Sequence, residues 1–309
     1  MPNLTGEGKR ERSLRAALDE ALAAAPAPQL TATAAAGNVC PECGGRGWLI
    51  RPDAGVGTAR RCACRAEDLV PRLQREAGIP ERYRSCRLEG FRDHHVTGRQ
   101  RSELTAALSQ TRRWIDSFLG PRGFSESGLI FVGPSGVGKT HLAAATLGEL
   151  IERYRVRARF VDFTSLVYQI QSTFNDDVNE TKRSLLDPVV TTEVLVIDEL
   201  GAQKATAWVN EVLYLILNGR YTRRLPTLFT TNYYLEPDMR PTPSAPSRRT
   251  AGDGEHARQE KDRESDLLEM RIQGLLVSRI WEMARPIVIN SVDYRQRVQA
   301  QKLVSPEDD

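Results

Sequence analysis

The chain has 309 residues, more than one small domain needs and enough for a single core with an appendage. Hydrophobic residues make up 40% and charged residues 27%, a globular balance, and a net charge of only +3 leaves any nucleic-acid contact to local basic patches. No stretch approaches the roughly 20 apolar residues of a membrane span and the first ten residues carry no apolar signal core, so a cytoplasmic protein without membrane contact is expected, whose five cysteines stay reduced and point to metal rather than disulfides.

Residues 12–22 set Leu14, Ala17, Leu18, Ala21 and Leu22 at helical spacing, with charges on the other side. So short a helix is marginal alone; it either docks or frays. Residues 23–37 form an Ala/Pro/Thr linker. Next, Cys40-Pro41-Glu42-Cys43 and Cys62-Ala63-Cys64 make C-x2-C and C-x-C, eighteen residues apart. Four thiolates would close a tetrahedral structural zinc site. The turn at residues 44–47 is glycine-rich enough for a metal knuckle, and Trp48-Leu49-Ile50 reads as a short strand beside it. So small a module has little core, so metal would supply its folding energy, about 10–16 kcal/mol in zinc-finger peptides. Cys86 reads as a packed small apolar side chain, and His94-His95 as a solvated turn.

Helices are expected over residues 69–76 and 99–119. From about residue 127 strands and helices alternate: strands at 129–132, 159–163, 194–197, 227–230 and 287–289, helices at 141–147, 166–174, 207–220 and 267–283. Such alternation predicts an α/β fold, a parallel sheet covered on both faces. Residues 238–265 interrupt it with Pro, Ser, Arg and Glu and almost no large apolar side chain. They read as a mobile insertion, either solvated or a basic nucleic-acid contact through Arg240, Arg248, Arg249 and Arg258. Three units follow: an N-terminal helix and linker (1–37), a cysteine module (38–78) and a core (79–309).

The most informative run is Gly133-Pro134-Ser135-Gly136-Val137-Gly138-Lys139-Thr140, which fits the phosphate-binding loop G-x-x-x-x-G-K-[ST]. An apolar strand precedes it and a helix follows, the context the motif requires. Its glycines let the backbone curl round phosphate oxygens, and the freed N–H groups at a helix N-terminus attract the anion. Lys139 would reach the β- and γ-phosphates and Thr140 would hold Mg²⁺. The strand at 194–197 runs into Asp198-Glu199, two carboxylates at the edge of a parallel sheet where ligands bind. Asp198 is expected on the Mg²⁺ shell and Glu199 as the base that orients the attacking water. Asn232, after the strand at 227–230, could bond that water or the γ-phosphate. Arg279, on the late helix, could reach a neighbouring subunit's γ-phosphate or form an ordinary surface ion pair.

In this order, GPSGVGKTHLA, VLVIDEL, LFTTN, LLVSRIWEM and Asp293-Tyr294-Arg295 resemble the AAA+ ATPases of the DnaC/IstB group. IPERYRSCRLEGF, residues 79–91, is similar to the group's entry segment, which lies beside the adenine. The resemblance covers roughly residues 79–295, apart from the insertion. It implies a P-loop sheet of order 5-1-4-3-2 without a separate lid domain, and ATP bound between subunits. It makes Arg279 a trans-acting finger, Asn232 the first sensor and Arg295 a candidate for the second. A cysteine module ahead of such a core is similar to DnaI-type helicase loaders. Those imply a hexameric replicative helicase of the DnaB type as partner, single-stranded DNA, and ATP as a slow switch. The alternative is an IstB-like transposition helper acting on duplex DNA with a transposase.

Overall fold

The structure is a computed structural model that describes residues 42–43, 48–51, 58–91, 96, 98–120, 123–172, 179–240 and 266–296. The expected helix at 12–22, the linker, Cys40, the glycine turn at 44–47, His94-His95 and most of the insertion (241–265) lie outside the described residues.

The first elements are an antiparallel pair, β1 (Trp48–Arg51) and β2 (Thr58–Arg61), in which Trp48 faces Arg61. Cys62 follows β2 directly, and its Sγ lies 3.6 Å from the carboxylate of Glu42, the neighbour of Cys43. Helix α1 (Ala63–Glu76) starts immediately after Cys62, six residues before the expected start at 69. Its Leu73, with Ala77 and Ile79 beyond it, joins the same buried cluster as Phe160 and Ile151, so the expected boundary at 78/79 falls inside a packed stretch. Helix α2 (Gly98–Asp116) follows, and then a two-residue pair, β3 (Leu119–Gly120) and β4 (Gly123–Phe124).

The core sheet contains β5 (Gly128–Val132), β6 (Ala158–Asp162), β7 (Val194–Leu200), β8 (Thr227–Thr231) and β9 (Ala284–Val288). Its order is β6-β7-β8-β5-β9 and every pairing is parallel. Numbered within the sheet, this is the expected 5-1-4-3-2. The sequence runs explain it: GLIFV and TLFTT are buried throughout, as central parallel strands must be. Pro286, which cannot donate to a ladder, is confined to the edge strand β9.

Alternate side chains of each strand feed two apolar layers. On one face lie α1, α2 and α3 (Lys139–Tyr154), where Phe131, Val196 and Leu228 meet Leu142, Leu147 and Ile151. The other face carries α4 (Phe163–Ser172), α5 (Asn179–Thr191), α6 (Ala207–Thr222) and α7 (Gly274–Met283), where Ile130, Ile197 and Phe229 meet Ile170, Val189, Leu213 and Ile280.

Two local expectations change. α5 has no counterpart in the periodicity, because Pro188 interrupts its helical pattern. Tertiary contact compensates: the fully buried Arg220 donates to the carbonyls of Val189 (3.0 Å) and Thr192 (2.8 Å) at its C-terminal end. The single late helix expected over 267–283 is divided into a 3-10 turn, Leu268–Met270, and α7. Between them Gln273 is extended, and its N–H donates to Asn210 Oδ1 at 3.1 Å. Among the described residues no helix is long and apolar enough to cross a membrane.

Candidate active site

The phosphate loop joins β5 to α3 at the carboxyl edge of the sheet. Gly136 has φ +78°, and a Cβ there would come within 2.0 Å of the Asp293 carboxylate; only glycine fits. The segment after β9 closes over this turn. Tyr294 N–H donates to Gly136 O (3.1 Å), and Arg295 Nη2 donates to Ser135 Oγ (2.9 Å). The Arg295 backbone N–H donates to Asp293 Oδ1 at 2.8 Å.

Lys139, the first residue of α3, is 7% exposed. Its ammonium donates to Pro134 O (2.7 Å) and Asn232 Oδ1 (2.6 Å). Burial pushes it down to about 8, against the pull of the Asp198 and Glu199 carboxylates. Pro134 and Asn232 thus hold the cation at the sheet edge with two neutral acceptors, and an anion would relieve its desolvation.

Asp198 is 6% exposed and accepts at one oxygen, Oδ1, from Thr140 Oγ1 (3.0 Å) and Thr230 Oγ1 (2.6 Å). Burial pushes its carboxyl above the usual range; the two hydroxyls pull it back. Thr140 and Asp198 are the hard oxygen donors that fit Mg²⁺.

Glu199 departs from the strand. The β7–β8 register shifts between Ile197 and Leu200, and Glu199 takes φ +57°. Its N–H donates to Thr230 Oγ1 at 3.0 Å while its side chain stays exposed. A bulge of this kind re-aims a side chain, here into a cleft of about 340 Å³ also lined by the phosphate loop, Asn232 and Arg295. Arg82, Tyr83, Gly90 and Phe91 of the entry segment form the cleft's other wall.

The family profile described as IstB-like ATP binding protein matches residues 121–237. A crystal structure of the DnaC helicase loader is similar at 30% identity and a TM-score of 0.50, covering 68% of this chain and 99% of that one. The chain belongs to the IstB/DnaC family of AAA+ ATPases. It is also similar to the replicative helicase loader DnaI of Bacillus subtilis, 36% identical over 107 residues that make up 34% of this chain and 33% of that protein. The replicative helicase loader DnaC of Escherichia coli is 27% identical over 183 residues, 58% of this chain and 70% of that protein. The chain therefore spans about a third of the length of the DnaI loader it matches.

In this AAA+ chain, Ser135–Thr140, Glu199, Asn232 and Arg295 line one cleft, and Asp198 bonds to Thr140 at its floor. Arg279 is not among the residues lining it; its guanidinium lies 4.2 Å above the Tyr221 ring on the outer face of α6 and α7. Of the four cysteines expected to bind zinc, Cys43 and Cys62 are buried; Cys40 and the side chain of Cys64 lie outside the described residues. Among the described residues no group of three or more His, Cys, Asp or Glu could hold a metal ion. Cys86 packs in the core as expected, and burial pushes its thiol up.

Two contributors stand inside the quoted motifs but carried no expected role. Thr230 bonds both acidic residues, and Asp293 braces the loop. Paired threonines in an otherwise apolar, fully buried strand were the available signal for the first. For the second the signal was its place at the head of the Asp293-Tyr294-Arg295 motif.

Proposed function

We propose that this chain is an ATP-dependent loader of a replicative DNA helicase. The observation that carries the reading is one cleft that joins Lys139, Thr140, Asp198, Glu199 and Asn232, in a chain whose similar proteins are named helicase loaders. The phosphate loop from Gly133 to Thr140 binds the triphosphate of ATP, with Lys139 leaving Pro134 and Asn232 for the β- and γ-phosphates. Magnesium, held by Thr140 and Asp198, would supply charge neutralisation at the phosphates. Glu199 takes the proton of the attacking water and Asn232 orients it. Arg295, already on the loop at Ser135, stands in the second-sensor position. Arg279 lies outside the lining of its own cleft, over the exposed Tyr221 ring, which supports a role at the site of a neighbouring copy. Head-to-tail self-association completes each reaction centre, and arginine fingers contribute about 10³–10⁵ in rate in related hydrolases.

Residues 38–78 serve as the helicase-binding platform. Zinc on Cys40, Cys43, Cys62 and Cys64 stiffens it; the burial of Cys43 and Cys62, with Cys62 beside Glu42, supports that ligand set. Single-stranded DNA engages the assembled cores and stimulates slow hydrolysis, which releases the loader. Pull-down of the host's replicative helicase by the full chain, lost when residues 1–61 are removed and the helix α1 that packs on the core is kept, is the expected result. Filaments on duplex DNA with no helicase capture would instead support the alternative, a transposition helper that acts with a transposase.

A further inference from the structure

Arg271 follows the 3-10 turn Leu268–Met270 and carries out no role assigned above. Its Nε donates to Gly201 O and its Nη2 to Ala202 O, each at 2.9 Å. Its own carbonyl accepts from Ala205 N–H, also at 2.9 Å. Its guanidinium carbon lies 4.9 Å from the centre of the Tyr233 ring. These contacts converge on two short segments of the site. Residues 199–202 form a turn, closed by Ala202 N–H donating to Glu199 O at 3.0 Å. Its third residue, Gly201, has φ +82°, and a Cβ there would meet Leu268 at 2.8 Å and Tyr233 at 3.1 Å. Tyr233 itself follows Asn232.

We infer that Arg271 is a positioning residue for ATP hydrolysis: it clamps the turn that Glu199 opens and ties that turn to the Asn232–Tyr233 segment. This rests on the reading of Glu199 as the catalytic base. The physical need is plain. Glu199 sits at a strand bulge with a left-handed backbone, a conformation that costs energy and persists only where its surroundings enforce it. From the sheet side, Thr230 accepts its N–H and Thr231 Oγ1 donates to Leu200 O at 2.8 Å. On the far side of the turn, the two outward carbonyls are held by Arg271. A forked guanidinium can hold both at once and pack flat on Tyr233, whereas a lysine ammonium can do neither as well. Arg271 lies outside the cleft lining, so it acts through Glu199, with the Tyr233 ring as its anchor, and not on the nucleotide.

The test compares Arg271→Met and Arg271→Lys with the parent full-length chain, measuring Kd for MgATP, thermal midpoint and single-turnover hydrolysis with single-stranded DNA. Arg271→Met is expected to keep its Kd within about twofold and lose about 10- to 100-fold in hydrolysis rate, with Arg271→Lys recovering part of it. In a Glu199→Gln background Arg271→Met should cost nothing further, since the residue it positions is already disabled. Parental hydrolysis by Arg271→Met, or a loss that multiplies with Glu199→Gln, overturns the clamp. If Arg271→Met does not fold, Arg271→Lys decides alone: slowed hydrolysis at unchanged Kd supports the clamp and a parental rate overturns it. Parental turnover by Glu199→Gln itself would instead overturn the reading of the base.

Discussion

Nucleotide affinity should depend on pH through Lys139. Burial lowers this ammonium from its ordinary 10.5 to about 8, with only partial help from Asp198 and Glu199. That difference corresponds to about 3 kcal/mol of unfavourable burial of the charged form. A triphosphate brought against Lys139 supplies the opposite charge and returns the ammonium to its normal range or above. The complex therefore binds the proton more tightly than the free chain does. The sign follows: affinity is full below pH 8 and falls as pH rises through 8, by up to tenfold per unit. Between pH 7 and pH 9.5 the loss should be about 30-fold, and at pH 8 binding should take up about half a proton. Equilibrium titration with a non-hydrolysable ATP analogue and magnesium checks the first figure. Calorimetry at pH 8 in two buffers of different ionisation enthalpy checks the second. Lys139→Met should bind more weakly at pH 7 and lose the dependence. A flat affinity up to pH 9.5 with no proton uptake would refute the electrostatic account of this lysine.

Other perturbations test separate parts. Thr230→Val removes a donor to Asp198 and the acceptor for Glu199 N–H. Leaving such groups unmatched costs about 1–3 kcal/mol, so turnover should fall about 5- to 150-fold with nucleotide binding retained. The acid limb of the rate profile should move to higher pH, because Asp198 is already raised by burial and loses the hydroxyl that lowers it; an unchanged profile would count against this. Arg220→Met strips the donors from Val189, Thr192 and Pro226 carbonyls and from Thr227, and should destabilise the fold by about 3–5 kcal/mol in denaturant titrations; a loss under 1 kcal/mol would mean that α5 is held by apolar packing alone. Arg279→Ala should bind ATP normally and lose stimulated turnover, and mixing it with Glu199→Gln should restore activity where an intact finger meets an intact base; no recovery in the mixture removes the trans role. A strong chelator should release one zinc and abolish exchange protection over residues 40–64 while leaving ATP binding intact; absence of metal from the purified chain would end the zinc assignment.

The nucleotide-binding half of this molecule was legible in the sequence for a physical reason. Its strand β5 and the first four residues of β7 are unbroken apolar runs, and its phosphate loop packs glycines, a lysine and a threonine into eight adjacent residues. Sheet order was legible only through the family resemblance, since periodicity says that strands exist and not which neighbours they take. What stayed hidden was contributed across long chain separations. Nothing local in Arg220 announces a cation that replaces lost helix contacts at the end of α5, and Pro188 argued against that helix.

Asp293 makes the same point within the site. A carboxylate packed on a loop built to attract phosphate is, by charge alone, the wrong residue. The fold resolves the conflict by pairing it: Arg295 bonds Asp293 through its backbone N–H and lies 3.4 Å from it through Nε, while its Nη2 holds Ser135. The carboxylate orients the arginine and fills the space that the missing Cβ of Gly136 leaves. Sign, shape and hydrogen bonding are thus satisfied together only when β9 brings residue 293 back to residue 136, a closure that no window of sequence contains.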